Sequence, residues 1–149
     1  MFTRLIESLS ATETLSQVFS DGLVLEAMLD FEAALARAEA RVGLIPAEAA
    51  AAITDAAVAE GFDTAQIVRQ SWRAGTPAIP LVRMLTERVR ARNAAAAGFV
   101  HWGATSQDVT DTAMVLLLGQ CSARVARAAG SRGLFGQRGS FPPAPAQGK

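Results

Sequence analysis

One stretch of this chain, His101-Trp102-Gly103-Ala104-Thr105-Ser106-Gln107-Asp108, sets residue types in an order that could do chemistry. Two hydroxyls, Thr105 and Ser106, stand just before an apolar helical pattern that begins at Val109. A helix amino terminus exposes unpaired N–H groups and the positive end of the helix dipole, so it can hold a carboxylate or a phosphate. The hydroxyls add donors, and Gly103 lets backbone approach a ligand closely. His101 lies just upstream and is the single histidine of the sequence. The same residues admit a plainer use. Thr105 with Asp108 three positions on resembles a capping box, with Asp in place of the usual Glu or Gln. His101 can be structural, Trp102 a core or interface anchor, and Asp111 a first-turn acid that suits the dipole. Residue types alone leave both uses open.

The elements that must position this stretch all read as helices. Ser20-Asp21 offers a cap, and Leu25, Met28, Leu29, Leu35, Ala36 and Val42 then recur at three- and four-residue steps, with Gly43 placed to end the helix. Pro46 suits the first position of a second helix, Pro46 to Val58, built on alanine around Ile53. Asp63 can cap a third helix that Gly75 closes. The prolines of Thr76-Pro77-Ala78-Ile79-Pro80 predict extended or turned backbone, with Pro80 opening a fourth helix through Leu81, Met84, Leu85 and Val89. A last helix is expected from Val109 to Leu118. No segment reads as strand, so the expected class is all-α.

Composition agrees and excludes several functions. Half of the 149 residues are hydrophobic but only 6% are aromatic, which favours close helix packing over a sheet sandwich. A lone cysteine, Cys121, rules out an intrachain disulfide and any multi-cysteine zinc site, and suits a reducing cytosol. No secretory signal reads at the start, where Glu7 and Glu13 interrupt the pattern, and no apolar run approaches the ~20 residues that span a bilayer. The expectation is a cytoplasmic protein without membrane contact. The zero net charge hides a break near Gly119: all 14 acids fall before it, while residues 119–149 carry five cations, six of the 12 glycines and three of the six prolines.

The run His101 to Ala113 is similar to the first active-site region of the fumarase/aspartase superfamily, in the form His-x-Gly-x-Thr-Ser-x-Asp-x-x-Asp-Thr. Two other stretches, Phe19 through Glu39 and Ala74 to Val82, resemble the carboxymuconate cycloisomerase branch of that superfamily. Adenylosuccinate lyases, the neighbouring branch, usually carry an Arg-His-Asp motif where Ala74 to Val82 lies, and no histidine occurs there. The resemblance implies the amino-terminal helical domain of the superfamily fold plus the opening turns of its central helical bundle, in residues 1–118. It implies that Thr105 and Ser106, with Gly103 and Gln107, bind a substrate carboxylate and that His101 orients or polarises it. The implied reaction is lactonisation of 3-carboxy-cis,cis-muconate, a step in aromatic-compound degradation, without metal or cofactor. The implied partners are a small di- or tricarboxylate and further copies of the chain in a tetramer.

The second, histidine-containing region and the serine loop of that superfamily would lie beyond residue 149, so the isolated chain is expected to be inactive. Residues 119–149 are expected to be a disordered, unrelated tail, such as a misread continuation. Their cations lack the aromatic interleaving of a nucleic-acid arm. Two alternatives are a fragment of an adenylosuccinate-type eliminating enzyme and a helical packing fragment without catalysis.

Overall fold

The computed structural model describes residues 17–131, with side chains through residue 128. Expectations for the first sixteen residues, and for the tail beyond 131, lie outside the described residues. A 3-10 turn at Gln17–Phe19 leads into α1 (Asp21–Arg41), followed by α2 (Ala47–Ala56), α3 (Thr64–Ala74), α4 (Ala78–Arg92), a second 3-10 turn (Ala96–Phe99) and α5 (Ser106–Ser131). The described residues contain no strand.

Local signals set most helix ends. The Ser20 hydroxyl accepts from Leu23 N–H at 3.5 Å, and the Asp63 carboxylate accepts from Gln66 N–H at 2.9 Å. Gly75 closes α3 at φ 75°, where its N–H donates to the Ser71 carbonyl at 2.8 Å. Three local expectations need correction. Pro46 caps α2 from outside instead of forming its first residue. Pro80 is the third residue of α4, because a first-turn position needs no N–H and the ring is harmless there. The helix at Val109 begins earlier, at Ser106, and continues past Leu118 to Ser131.

That continuation has a physical reason. A glycine inside a helix costs about 1 kcal/mol relative to alanine. The Ala, Arg and Gln around Gly119 favour helix, and no proline occurs between Pro80 and Pro142. Gly119, Gln120 and Ala123 still flank α1, facing Leu23, Glu26, Ala27 and Asp30 across a shallow groove.

The core gathers Leu25, Met28 and Leu29 of α1, Ile53 of α2, Leu81, Leu85 and Val89 of α4, and Val109, Ala113 and Leu117 of α5. Buried alanines at 36, 49, 50, 56, 96 and 97 let the backbones close in. α1 packs chiefly on α2 and α5, which sets the start of α5 beside the second half of α1. Val42 leaves the expected stripe and is 72% exposed, while Glu32 and Glu39 join it as buried residues. No described helix is long and apolar enough to cross a membrane.

Candidate active site

The start of α5 forms a reciprocal capping box. Thr105 donates its N–H to Asp108 Oδ2 at 2.8 Å and its hydroxyl to the same oxygen at 2.7 Å, while Asp108 N–H donates to Thr105 Oγ1 at 3.3 Å. These bonds hold the exposed Asp108 carboxyl below the usual carboxylate range, the side-chain bond contributing most. The shorter Asp side chain therefore completes the box. Thr105 spends its hydroxyl on the cap. The neighbouring Ser106 hydroxyl, half-buried, donates to no described residue, and the N–H groups of Ser106 and Gln107 are likewise unpaired among the described residues. The Gln107 amide donates to Asp111 Oδ1 at 2.6 Å, which ties it along the first turn.

Upstream, the loop turns tightly. His101 takes φ 59° and Gly103 φ 69°, both in the left-handed region. Glycine adopts that backbone without strain, whereas histidine does so uncommonly. A Cβ on Gly103 would meet nothing nearer than Glu39 Oε1 at 3.9 Å, so its backbone dihedral, more than crowding, requires glycine. Trp102 is not a core anchor among the described residues: it is 52% exposed and touches Phe99 with ring centroids 6.0 Å apart.

The partner of His101 comes from 69 residues away. Its Nδ1 lies 2.7 Å from Glu32 Oε1 in a hydrogen bond, with the imidazole side chain 17% exposed and the glutamate side chain fully buried. The bond to Glu32 raises the proton affinity of His101 above that of ordinary imidazole. Burial opposes the rise, and the charges of Glu32, Asp108 and Glu39 add to it. Glu39, one heptad after Glu32 on α1, is 7% exposed. Burial pushes its carboxyl up, the neighbouring Glu32 pushes further, and His101 draws it back. The Oε2 atoms of both glutamates are buried without a partner among the described residues. No group of three or more His, Cys, Asp or Glu among the described residues is arranged to hold a metal ion.

His101, Gly103, Thr105, Ser106 and Gln107 thus adjoin one helix end, while Glu32 and Glu39 complete the surroundings from α1. Reading the sequence alone misses these two acids as site residues. The available signal was their register: both fall on the buried stripe of α1, where an acid is out of place unless something across the interface answers it.

Known proteins share this architecture. A family model described as lyase matches residues 7–128. The chain is 55% identical over 98 residues to the 3-carboxy-cis,cis-muconate cycloisomerase of Bradyrhizobium diazoefficiens, covering 66% of this chain and 22% of that protein. It is 52% identical over 101 residues to the enzyme of the same name from Pseudomonas aeruginosa, covering 68% and 22%. The crystal structure of 3-carboxy-cis,cis-muconate lactonizing enzyme from Pseudomonas putida superposes with a TM-score of 0.75 at 42% identity, over 83% of this chain and 28% of that one. The chain therefore spans only 22% to 28% of the length of these relatives.

Proposed function

The chain belongs to the lyase family, within the fumarase/aspartase superfamily, and we propose from that premise that it is the amino-terminal part of a 3-carboxy-cis,cis-muconate cycloisomerase. The observation that carries the reading is the unspent donor set at the start of α5: the Ser106 hydroxyl and the first-turn N–H groups, flanked by His101. In lactonisation one carboxylate of the substrate attacks its own alkene. Electron density then moves onto the carboxylate beside the opposite alkene carbon, which takes up a proton. Preorganised donors aimed at that second carboxylate stabilise the developing charge. Ser106, the helix terminus and His101 are suited to that task, with Gly103 admitting the ligand and Gln107 and Thr105 fixing the turn. An adenylosuccinate-type elimination uses a similar cradle, but the similarity to the Bradyrhizobium and Pseudomonas enzymes supports the cycloisomerase.

In this reading the family-like domain continues through α5, and the basic segment beyond it takes no part in the chemistry. Met114, Val115, Leu118 and Val125 lie exposed along α5. An uncovered apolar stripe of this kind seeks a partner, and further helices of a bundle and other copies in a tetramer would cover it. The enzyme is cytoplasmic and serves aromatic-compound degradation.

The test grafts residues 1–128 onto the remaining length of the Bradyrhizobium cycloisomerase and follows lactone formation from 3-carboxy-cis,cis-muconate. Ser106→Ala removes a donor to an anion, where such a bond contributes roughly 1.5–3 kcal/mol. The expected loss is about ten- to a hundredfold in kcat/KM, with melting temperature unchanged. Full turnover in Ser106→Ala would retire the cradle. The 149-residue chain alone should form no lactone.

A further inference from the structure

We propose that Glu32 is the positioning residue of this site: it holds Nδ1–H of His101 from within the core and so presents Nε2 to an incoming carboxylate. The inference rests on the carboxylate-cradle reading and adds to it the element that aims and charges its histidine.

Glu32 has one hydrogen-bonding partner among the described residues, His101, and its second carboxyl oxygen has none. Its position on α1 is a core position, between Leu29 and Ala36 on the buried stripe. An apolar side chain there would pack without desolvating a charge, and such replacements are often neutral or stabilising. The acid is therefore poorly explained by helix packing and well explained by what it does to the loop. His101 holds an uncommon left-handed backbone, and the 2.7 Å bond is the contact that anchors its ring. With Nδ1 committed inward, Nε2 is the nitrogen left for a ligand, and it has no partner among the described residues.

Charge gives this arrangement a purpose. The first turn of α5 already carries Asp108, and Asp111 follows in the next turn, so an entering carboxylate meets like charge beside the helix dipole. A neutral imidazole offsets little of that repulsion, whereas an imidazolium offsets it directly. Three acids face His101 and favour its charged form: Glu32 and Glu39 from α1 and Asp108 from α5. Glu32 acts through the hydrogen bond as well as through its charge. Glu39 acts through charge alone and, with its own proton held more tightly, contributes less.

Because His101 is the only histidine in the sequence, its ring signals in the full 149-residue chain can be followed without ambiguity. Nitrogen-15 NMR should show a titration midpoint above that of an ordinary histidine side chain and, on the alkaline side, a neutral ring with its proton on Nδ1. Glu32→Gln should lower the midpoint, Glu32→Leu should lower it further and shift the proton to Nε2, and Glu39→Gln should lower it least. Tricarballylate, added at millimolar concentration against matched sodium chloride, should then shift the His101 ring and the Ser106 and Gln107 amides. That binding should weaken about tenfold in Glu32→Leu, the size of one lost charge-assisted bond, and should fade in the unmutated chain as pH rises through the His101 midpoint.

A wild-type neutral ring protonated on Nε2 overturns the inference without any variant, so a Glu32 substitution that fails to fold does not shield it. Equal tricarballylate binding in the unmutated chain and Glu32→Leu overturns the inference while leaving the cradle standing. Absence of tricarballylate shifts at the first turn of α5 in the unmutated chain retires the cradle itself, and the role of Glu32 with it.

Discussion

Two polar corners of the molecule are built on opposite principles. At the junction of α2 and α4, Arg88 donates to the carbonyls of Ala56, Val58 and Glu60 at 3.3, 2.7 and 2.9 Å and lies 3.9 Å over the Phe62 ring. Arg92 adds a bond to the Asp55 carbonyl at 2.8 Å. Orphaned carbonyls at the end of one helix are answered by side chains of another. Beneath the start of α5, by contrast, two glutamates enter the core near a single histidine that only Glu32 bonds, and each leaves a buried oxygen unpaired among the described residues. The first corner ties elements together. The second spends stability to hold a charged loop in one geometry, which is the pattern expected where a ligand is to be met.

The largest expected effect breaks the first corner. Arg88→Ala removes three bonds from a charged donor and a cation–π contact, and should lower stability by about 2–3 kcal/mol, read as a falling midpoint in urea. His101 titration should be unaffected in the molecules that remain folded. A loss below about 0.5 kcal/mol would mean that these carbonyls are equally well served by water, and the contrast between the corners would weaken.

Changing the second corner should have the opposite sign. The folded-state pKa of Glu39 is raised, so the folded chain binds this proton more tightly than the unfolded chain does. Its favourable contribution is complete below the ordinary carboxyl value of 4.5 and is lost as pH rises through the raised value. Glu39→Met should therefore stabilise the chain at pH 7 by about 1 kcal/mol, and the gain should shrink toward pH 4. Thermal melts of both proteins at the two pH values decide it. A destabilised variant at pH 7 would show that the unpaired oxygen has a partner after all.

The smallest effect sharpens the first corner from within. Arg92→Ala loses one exposed bond and should cost about 0.5 kcal/mol. A cost equal to that of Arg88→Ala would place the strength of the junction in its charge instead of its count of bonded carbonyls.

What could be read from the sequence was local. Ser20, Asp63 and Gly75 mark helix ends through bonds that span three or four residues, and the Thr105–Asp108 box is visible for the same reason. The all-α class and the superfamily motif follow from patterns contained in single segments. The split between Thr105 and Ser106 was not readable, because both are hydroxyls before a helix and only the geometry shows which one is committed to the cap. The length of α5 runs against two sequence signals, Gly119 and the loss of acids beyond it. The propensity of the neighbouring residues and their place beside α1 outweighed both. The pairing of Glu32 with His101 belongs to tertiary structure alone. It joins residues 69 positions apart, and its meaning depends on burial, which converts an ordinary acid on a helix into a fixed hydrogen-bond partner behind the only histidine.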